Sequence, residues 1–375
     1  MRIDPDYYIG TMSGTSADGL DIAIVEISDL DSVKLIHSFY KAYPENLRSQ
    51  IKLLQNKSPE DLRLNHQQAI ETLDASLVDF YAQNIKQSLY KAQISPDKIR
   101  AIGNHGQTIM HQPNARDPFS LQLCNGKELA KFCSIPVVHS FRQGDINQGG
   151  QGAPLMPAFH HAIFAKHKPC AIVNIGGISN TTLLLPHSTL GFDNGPGNTL
   201  IDNWIKEHQN QPYDINGEWG RSGKRIPELI GKLLDEPYFS NPPPKSTGQD
   251  LFNTEWLEKK IKRFKKHPPK DIQASLHDLT VQCILNDIEA YGSGIADIYV
   301  CGGGVKNVFL MERMHFLAKG SYQIQSTSTL GIDTDWVEAI GFAWLAYCNL
   351  HNIESNIPSV TGARKSVVLG QIFIP

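Results

Sequence analysis

The chain has 375 residues, with 35 Lys and Arg against 38 Asp and Glu and a net charge of −3. That balance excludes bulk attraction to nucleic acid or to an anionic membrane surface, and no run of about twenty apolar residues marks a membrane-spanning helix. The six cysteines are scattered without a CxxC pair, the usage of a reducing compartment, so the expected location is cytoplasmic.

The opening residues Met1-Arg2-Ile3-Asp4 carry no basic region followed by an apolar core, so no signal peptide is expected. Tyr7-Tyr8-Ile9 and Leu20 to Ile27 read as the strands of a hairpin, with a further β-like run at Val33 to Tyr40. Between the first two lies Gly10-Thr11-Met12-Ser13-Gly14-Thr15-Ser16-Ala17-Asp18-Gly19. Its glycines let backbone N–H groups approach an anion and its hydroxyls add donors, which suits phosphate. The Gly-Lys-Ser/Thr ending of a Walker A loop is missing, and a strand follows where the dinucleotide fingerprint requires a helix. Asp18 or Asp21 can hold Mg²⁺, which prefers carboxylates together with phosphate oxygens. The alternative reading is an ordinary polar hairpin turn.

A helix is expected over His66 to Ala92, where Leu73, Leu77, Tyr81, Ile85 and Leu89 recur every four residues as one buried stripe. Ile99 to Gly103 reads as a buried strand ending in Asn104-His105-Gly106-Gln107-Thr108. His105, Gln107 and Thr108 suit hydrogen bonding to a polyol; with His111 nearby, no third and fourth ligand is spaced for zinc. Arg142 can clamp a carboxylate through two N–H groups, or form a surface ion pair with Asp145.

The second half repeats this grammar. Cys170 to Ile175 is a buried strand ending in Gly176-Gly177, Thr181 to Leu185 and Thr189 to Phe192 follow as strands, and a helix starts near Asn198. Asp193 ends its strand before Gly195-Pro196-Gly197, with Asn198 as the helix cap. A carboxylate on such a corner suits a general base or makes a simple Asx-turn. Asn241 to Gly248 reads as a stiff surface turn, and the basic run Lys259 to Lys266 as a solvated helix face. Ile298 to Cys301 is another buried strand, ending in Gly302-Gly303-Gly304, where a flat ligand can lie against the backbone, and a helix begins near Asn307. Glu338 opens an apolar helix through Leu350, a position the helix dipole favours by itself. His160 and His161 read as residues of a core-facing helix without a role. Strands alternating with helices in two similar halves predict mixed α/β layers with a ligand cleft between the halves.

Taken together, Gly10 to Gly19, His105 to Thr108, Gly149 to Pro154, Asn174 to Gly177, Phe192 to Asn198 and Cys301 to Gly304 resemble the anhydro-N-acetylmuramic acid kinase family over nearly the whole chain. The resemblance implies the α/β two-domain fold of actin-like ATPases, a duplicated ribonuclease H-like unit with a central cleft. Domains are expected at 1–140 and 141–375, with the extreme C-terminal segment returning to the first. The implied reaction uses ATP and Mg²⁺ to hydrolyse the 1,6-anhydro bond of anhydro-N-acetylmuramic acid and phosphorylate O6. The product is N-acetylmuramic acid 6-phosphate, formed in cell-wall recycling, and the implied assembly is a homodimer.

Carried over by the resemblance, Asp193 is the base for the attacking water and Glu338 a second active-site carboxylate. Thr11, Met12, Ser13, Gly14, Thr15, Ser16, Ala17, Asp18 and Gly19 hold ATP phosphates, and Gly176, Gly177, Gly302, Gly303 and Gly304 complete the nucleotide site. His105, Gln107, Thr108 and Arg142 hold the sugar, Arg142 at its lactyl carboxylate; Asp18 or Asp21 holds Mg²⁺. The chain has Ser140 where the family often has aspartate, and Asn194 where it often has threonine. The alternatives are a kinase for another amino sugar or sugar acid on the same fold, and a non-catalytic actin- or Hsp70-like nucleotide switch.

Overall fold

The computed structural model describes residues 6–248 and 250–375. Residues 1–5, where no signal peptide is expected, lie outside the described residues. In chain order the strands are β1 (Tyr7–Ser13), β2 (Gly19–Asp29), β3 (Ser32–Ala42), β4 (Ile99–Gln112), β5 (Phe119–Leu123), β6 (Val137–His139), β7 (Cys170–Ile175), β8 (Ile178–Leu184), β9 (Thr189–Pro196), β10 (Asp297–Cys301), β11 (Gln323–Ser326) and β12 (Gln371–Phe373). The helices that bear on the site are α1 (Glu45–Gln55), α2 (Gln67–Ala92), α3 (Phe141–Ile146), α4 (Thr199–Gln209), α5 (Pro269–Tyr291), α6 (Val308–Ala318) and α7 (Val337–Leu350). Among the described residues no helix is long and apolar enough to cross a membrane.

The chain divides into two compact units. One runs through Ile163 and takes back Trp336–Pro375; the other is Phe164–Asp335. The sequence had placed the boundary at 140/141. In the first unit the sheet order is β12-β6-β4-β1-β2-β3, with β5 on the far end of β4. The pairs β1–β2 and β2–β3 are antiparallel, and β1–β4 and β4–β6 are parallel. In the second unit the order is β11-β10-β7-β8-β9, with β7–β8 and β8–β9 antiparallel and β7–β10 and β10–β11 parallel. Each sheet therefore contains a three-strand meander extended by two parallel strands, to which the first sheet adds antiparallel β12 and β5; parallel neighbours require crossovers, which the helices supply. That is the duplicated ribonuclease H-like order expected.

The α2 stripe Leu73, Leu77, Tyr81, Ile85 and Leu89 is buried against Ile9, Ile22 and Ile24 of the first sheet; each such side chain contributes roughly 2 kcal/mol of transfer free energy. On the same sheet Gly10 and Gly103 are register partners. A Cβ on Gly10 would strike the backbone of Ala339 and Ala343, and one on Gly103 the backbone of Phe342. Helix α7 thus lies directly on the strand backbones, and this contact sets where its first turn, with Glu338, stands.

Two strands run further than the sequence suggests. β4 continues past Gly103 to Gln112 because β5 pairs with its far end after β1 has stopped. β9 continues to Pro196, so Asp193 is a mid-strand residue opposite Asn180, not a strand end. Of the two histidines read as core-facing, His160 is buried while His161 is exposed. The basic run leaves its helix at Ile261, and Lys260 pairs with Glu236 (3.1 Å) beside Trp256.

Candidate active site

The first glycine loop joins β1 to β2 through a turn in which Ala17 N donates to Gly14 O (3.1 Å) and Ala17 takes φ 54°. Thr11, Met12, Ser13, Ala17 and Gly19 are buried, Gly14 and Ser16 half-buried, Thr15 and Asp18 exposed. The buried hydroxyls of Thr11 and Ser13 turn inwards. Thr11 Oγ1 donates to Asn104 Oδ1 (2.9 Å), and Ser13 Oγ lies 2.8 Å from Gly19 O and 2.7 Å from Gln107 Oε1. Gln107, placed at the sugar by resemblance, is itself fully buried and donates through Nε2 to Gly14 O (3.1 Å) and Thr108 O (3.2 Å). The part left at the surface is Gly14 to Ser16 together with Asp18.

Helix α1 braces that exposed part. Lys52 Nζ and Gln55 Nε2 donate to Thr15 O (2.9 and 3.1 Å), and Arg48 Nη2 donates to Asp18 Oδ1 (3.0 Å). Burial first, and then the Asp18 and Asp21 carboxylates, raise the Tyr40 phenol above its ordinary pKa. The Asp18–Arg48 pair is exposed, and exposed pairs are weak enough to exchange partners. Among the described residues no three His, Cys, Asp or Glu side chains gather as a metal set; Mg²⁺ bound by one or two carboxylates and phosphate oxygens needs none. Asp18 is exposed and Asp21 half-buried, so neither carboxylate is closed off from such an ion.

A second polar group of the same unit lines up on β4, β5, α3 and α7. Arg142 on α3 donates through Nε and Nη2 to His105 Nε2 (3.1 and 3.0 Å) and through Nη1 to Gly152 O (2.9 Å). The Asp145 ion pair considered from sequence does not form: Asp145 is buried and accepts instead from Gly152 N (2.8 Å), Asn356 Nδ2 (2.7 Å) and Thr361 Oγ1 (2.7 Å). It ties the 145–152 loop to the C-terminal return. Burial, then Arg142 and His139, hold the His105 imidazole well below its ordinary pKa. Thr108 Oγ1 accepts from Gln122 Nε2 (3.2 Å), which also donates to Ser120 Oγ (2.7 Å), and that hydroxyl meets His111 Nδ1 (2.9 Å). Burial and Arg142 lower His111 to about 4. Half-buried Glu338 is raised by burial and pulled back by the Arg142 guanidinium. The arrangement offers neutral rings, hydroxyls and one cation, the mixture that binds a sugar bearing a carboxylate. Ser140, the first departure from the family pattern, places its hydroxyl 2.9 Å from His139 Nδ1.

In the second unit the remaining glycines converge on Ile175 at the end of β7. Asn198 N donates to Gly176 O (2.8 Å) and Gly197 N to Gly177 O (2.9 Å). The Asn198 side chain does not cap α4 as expected; its Nδ2 donates to Ile175 O (3.2 Å). Gly302 sits at φ 81°, where a Cβ would meet Asn174 Oδ1 and Ile175 O. Gly303 differs: the nearest atom to its Cβ would be Asn198 Nδ2 at 3.9 Å, and at Gly176 it would be Ile178 O at 3.5 Å. Neither position is closely packed, and Gly176 is half-buried and Gly303 exposed.

Asp193 is held through one carboxylate oxygen and through its backbone. Its Oδ2 accepts from Ser246 Oγ (2.9 Å) and Thr247 N (3.0 Å). Its N donates to Lys245 O (3.1 Å) and its O accepts from Tyr238 OH (2.8 Å). Burial raises the carboxyl pKa, against the Thr247 N–H, the Ser246 hydroxyl and the Lys245 charge. A carboxylate of raised basicity held by one oxygen can accept a proton on the other. The stretch read as a surface turn is what supplies these partners, and Lys245 points inwards to a buried ion pair with Asp287 (2.8 Å). Neither Lys245 nor Asp287 stood out in the sequence: they are far apart in the chain and carry no shared motif. Asn194, the second departure, donates to Asp287 Oδ2 (2.9 Å) and accepts from Thr181 Oγ1 (2.7 Å).

A model of the family described as anhydro-N-acetylmuramic acid kinase matches residues 6–375. The anhydro-N-acetylmuramic acid kinase of Pasteurella multocida is 46% identical over 370 residues, covering 98% of this chain and 96% of that protein. Its counterpart in Haemophilus influenzae is 43% identical, covering 100% and 99%, and that of Nitrosospira multiformis 45%, covering 98% of each. Among solved structures, component A of (R)-2-hydroxyglutaryl-CoA dehydratase from Acidaminococcus fermentans aligns at a TM-score of 0.48 and 11% identity, over 91% of this chain and 98% of that one. A ROK family glucokinase from Streptomyces griseus aligns at 0.42 and 10%, over 90% and 98%. Likeness that low bears on nothing further; the match along residues 6–375 and the end-to-end relatives do, and by them the chain belongs to the anhydro-N-acetylmuramic acid kinase family.

Proposed function

We propose that the chain hydrolyses the 1,6-anhydro bond of anhydro-N-acetylmuramic acid and phosphorylates the freed O6 from ATP, with Asp193 as the base. As a member of its family it is an ATP-dependent sugar kinase. The observation that carries the base assignment is the single-oxygen hold on Asp193, whose carboxyl is raised by burial.

Asp193 takes a proton from water as its oxygen bonds to the anomeric carbon. The bond from that carbon to O6 breaks, and O6 attacks the γ-phosphorus of ATP while ADP leaves. The anhydro sugar, one water and one ATP give N-acetylmuramic acid 6-phosphate, ADP and one proton, which Asp193 releases to solvent. Phosphoryl transfer asks mainly for positioning and charge neutralisation. Gly14, Thr15 and Ser16 take the phosphate oxygens, with Thr11, Met12, Ser13, Ala17, Gly19 and Gln107 setting the loop's shape from within. Gly176, Gly177 and Gly302 to Gly304 take the adenosine. Mg²⁺, held by Asp18 or Asp21, would neutralise charge on the β- and γ-phosphates. His105 and Thr108 bind sugar hydroxyls, Arg142 the lactyl carboxylate, and Glu338 serves as the second active-site carboxylate. Action on a small cytoplasmic sugar by a homodimer completes the reading.

The test is an ADP-release assay against anhydro and ordinary amino sugars. Anhydro-N-acetylmuramic acid should be preferred, with an ¹⁸O label from water at C1 of the product. Preference for N-acetylmuramic acid itself would remove the ring-opening step. Asp193→Asn should abolish turnover and leave nucleotide affinity nearly intact; an active variant would remove the base.

A further inference from the structure

We propose that Lys245 is a positioning residue for this reaction: its buried ion pair with Asp287 pins segment 245–247, and that segment holds the Asp193 carboxylate by one oxygen. The inference rests on the reading of Asp193 as the base. Residues 241–248 form no helix or strand, so their backbone has no ladder to fix it. The fixing comes from the Lys245 side chain. Its Nζ lies 2.8 Å from Asp287 Oδ1, with the two side chains only 3% and 7% exposed. The ammonium also stands over the rings of Phe192 (5.8 Å) and Tyr238 (5.4 Å).

The contacts reach Asp193 through both of its chain neighbours, its backbone and one carboxylate oxygen. Phe192, one residue before it, lies under the Lys245 ammonium. Asn194, one residue after it, donates to the other oxygen of Asp287 (2.9 Å). Lys245 O accepts the Asp193 N–H, and Tyr238, whose ring also meets the ammonium, donates to Asp193 O. The next two residues after Lys245 supply both bonds to Asp193 Oδ2. One ion pair therefore sets the strand on both sides of the base and the loop that grips it. A buried pair is a poor source of net stability but a strict determinant of geometry, because breaking it strands a charge.

The groups facing Asp193 that titrate or carry charge are Lys245 on the loop, Tyr238 before it, and Asp287 and Cys283 on α5, all bearing on Tyr238 or on Asp193 itself. Of these, Lys245 favours the ionised base, as do the Ser246 and Thr247 donors. Loosening the segment removes those donors, so the base should then need a higher pH to ionise.

The test uses the full chain with two substitutions. Lys245→Met with Asp287→Leu removes both partners and avoids a stranded buried charge. Ser246→Ala removes one donor and leaves the pair. Folding is checked by circular dichroism and thermal melting, nucleotide affinity by calorimetry, and kcat and KM for the sugar across pH. In the double variant kcat should fall about a hundredfold, the scale of a misplaced reacting group, with nucleotide Kd unchanged. The acid limb of kcat/KM should move to higher pH, and Ser246→Ala should move it the same way by less. A folded double variant with wild-type kcat and acid limb overturns the inference. So does a fall in nucleotide affinity parallel to that in kcat, which marks general damage. If the double variant is unfolded, an unmoved acid limb in Ser246→Ala overturns it instead. Asp193→Asn separates the two levels: if it is active the base assignment fails, and if it is dead while the loop variants are normal only the positioning role fails.

Discussion

Arg142 and His105 meet at one ring nitrogen, with Arg142 Nε and Nη2 lying 3.1 and 3.0 Å from His105 Nε2. An imidazole nitrogen that accepts two guanidinium N–H groups carries no proton, so His105 is neutral and holds its hydrogen on Nδ1. Lysine cannot reproduce this fork. Arg142→Lys should raise the sugar KM about tenfold, the worth of one charge-assisted hydrogen bond, with a smaller change in kcat. In Arg142→Gln, which removes the charge as well, His105 followed by NMR should titrate closer to its ordinary 6.5, since the Arg142 charge is the second cause of its depression after burial.

Glu338 faces the same guanidinium from α7. Burial raises its carboxyl and Arg142 opposes that rise. Glu338→Gln should lower kcat more than it weakens sugar binding, measured by steady-state kinetics beside calorimetry. The reverse pattern would leave Glu338 a binding residue or a helix-end charge.

Gly302 and Gly303 are neighbours with opposite expectations. Alanine at Gly302 meets a φ of 81° and the Asn174 and Ile175 oxygens, so it should cost stability, about 2 kcal/mol or more. Alanine at Gly303 meets only an ordinary contact with Asn198 Nδ2 at 3.9 Å, so Tm should hold while ATP affinity falls. An unchanged Kd for ATP in folded Gly303→Ala would take the triple glycine out of the nucleotide site.

Gly10→Ala should be among the most destabilising single changes, roughly 3 kcal/mol, because its methyl group would collide with α7 backbone and not with a side chain that can turn away. Urea denaturation of this variant and of Gly14→Ala, whose nearest neighbour is Ser16 Oγ at 3.6 Å, separates the packing glycine from the ligand-facing one.

Acid should unfold the protein through its buried histidines. Burial lowers His139 to about 4 and His160 to about 3. Each stays neutral when folded, while the unfolded chain takes up a proton below its ordinary 6.5. Their stabilisation is complete above pH 6.5 and falls as pH drops below it, by about 1.4 kcal/mol per pH unit per group, until the folded pKa is reached. Melting curves from pH 7.5 to 4.5 should therefore show a falling Tm, and His139→Phe should flatten the slope.

The repeating strand and helix pattern was legible because each element carries its own period. The spacing of four in α2 and the apolar runs of β7 and β10 needed no tertiary partner to be recognised. The glycine clusters were legible for a similar reason, since few other uses explain them. Helix α5 was not read at all: Asp271, Ser275, His277, Asp278 and Asp287 are buried in it, so polar letters occupy core positions and no apolar face is visible.

By itself the sequence determined the duplicated fold, the family, and Asp193 as the acid to examine, all of which live in local composition and motif. Only the tertiary structure decided which hydroxyls of the first glycine loop face inwards, that Gly10 serves the packing of α7, and that Lys245 is buried against Asp287. Those depend on which distant segments meet, and on the cost of a buried charge or a blocked backbone once they do.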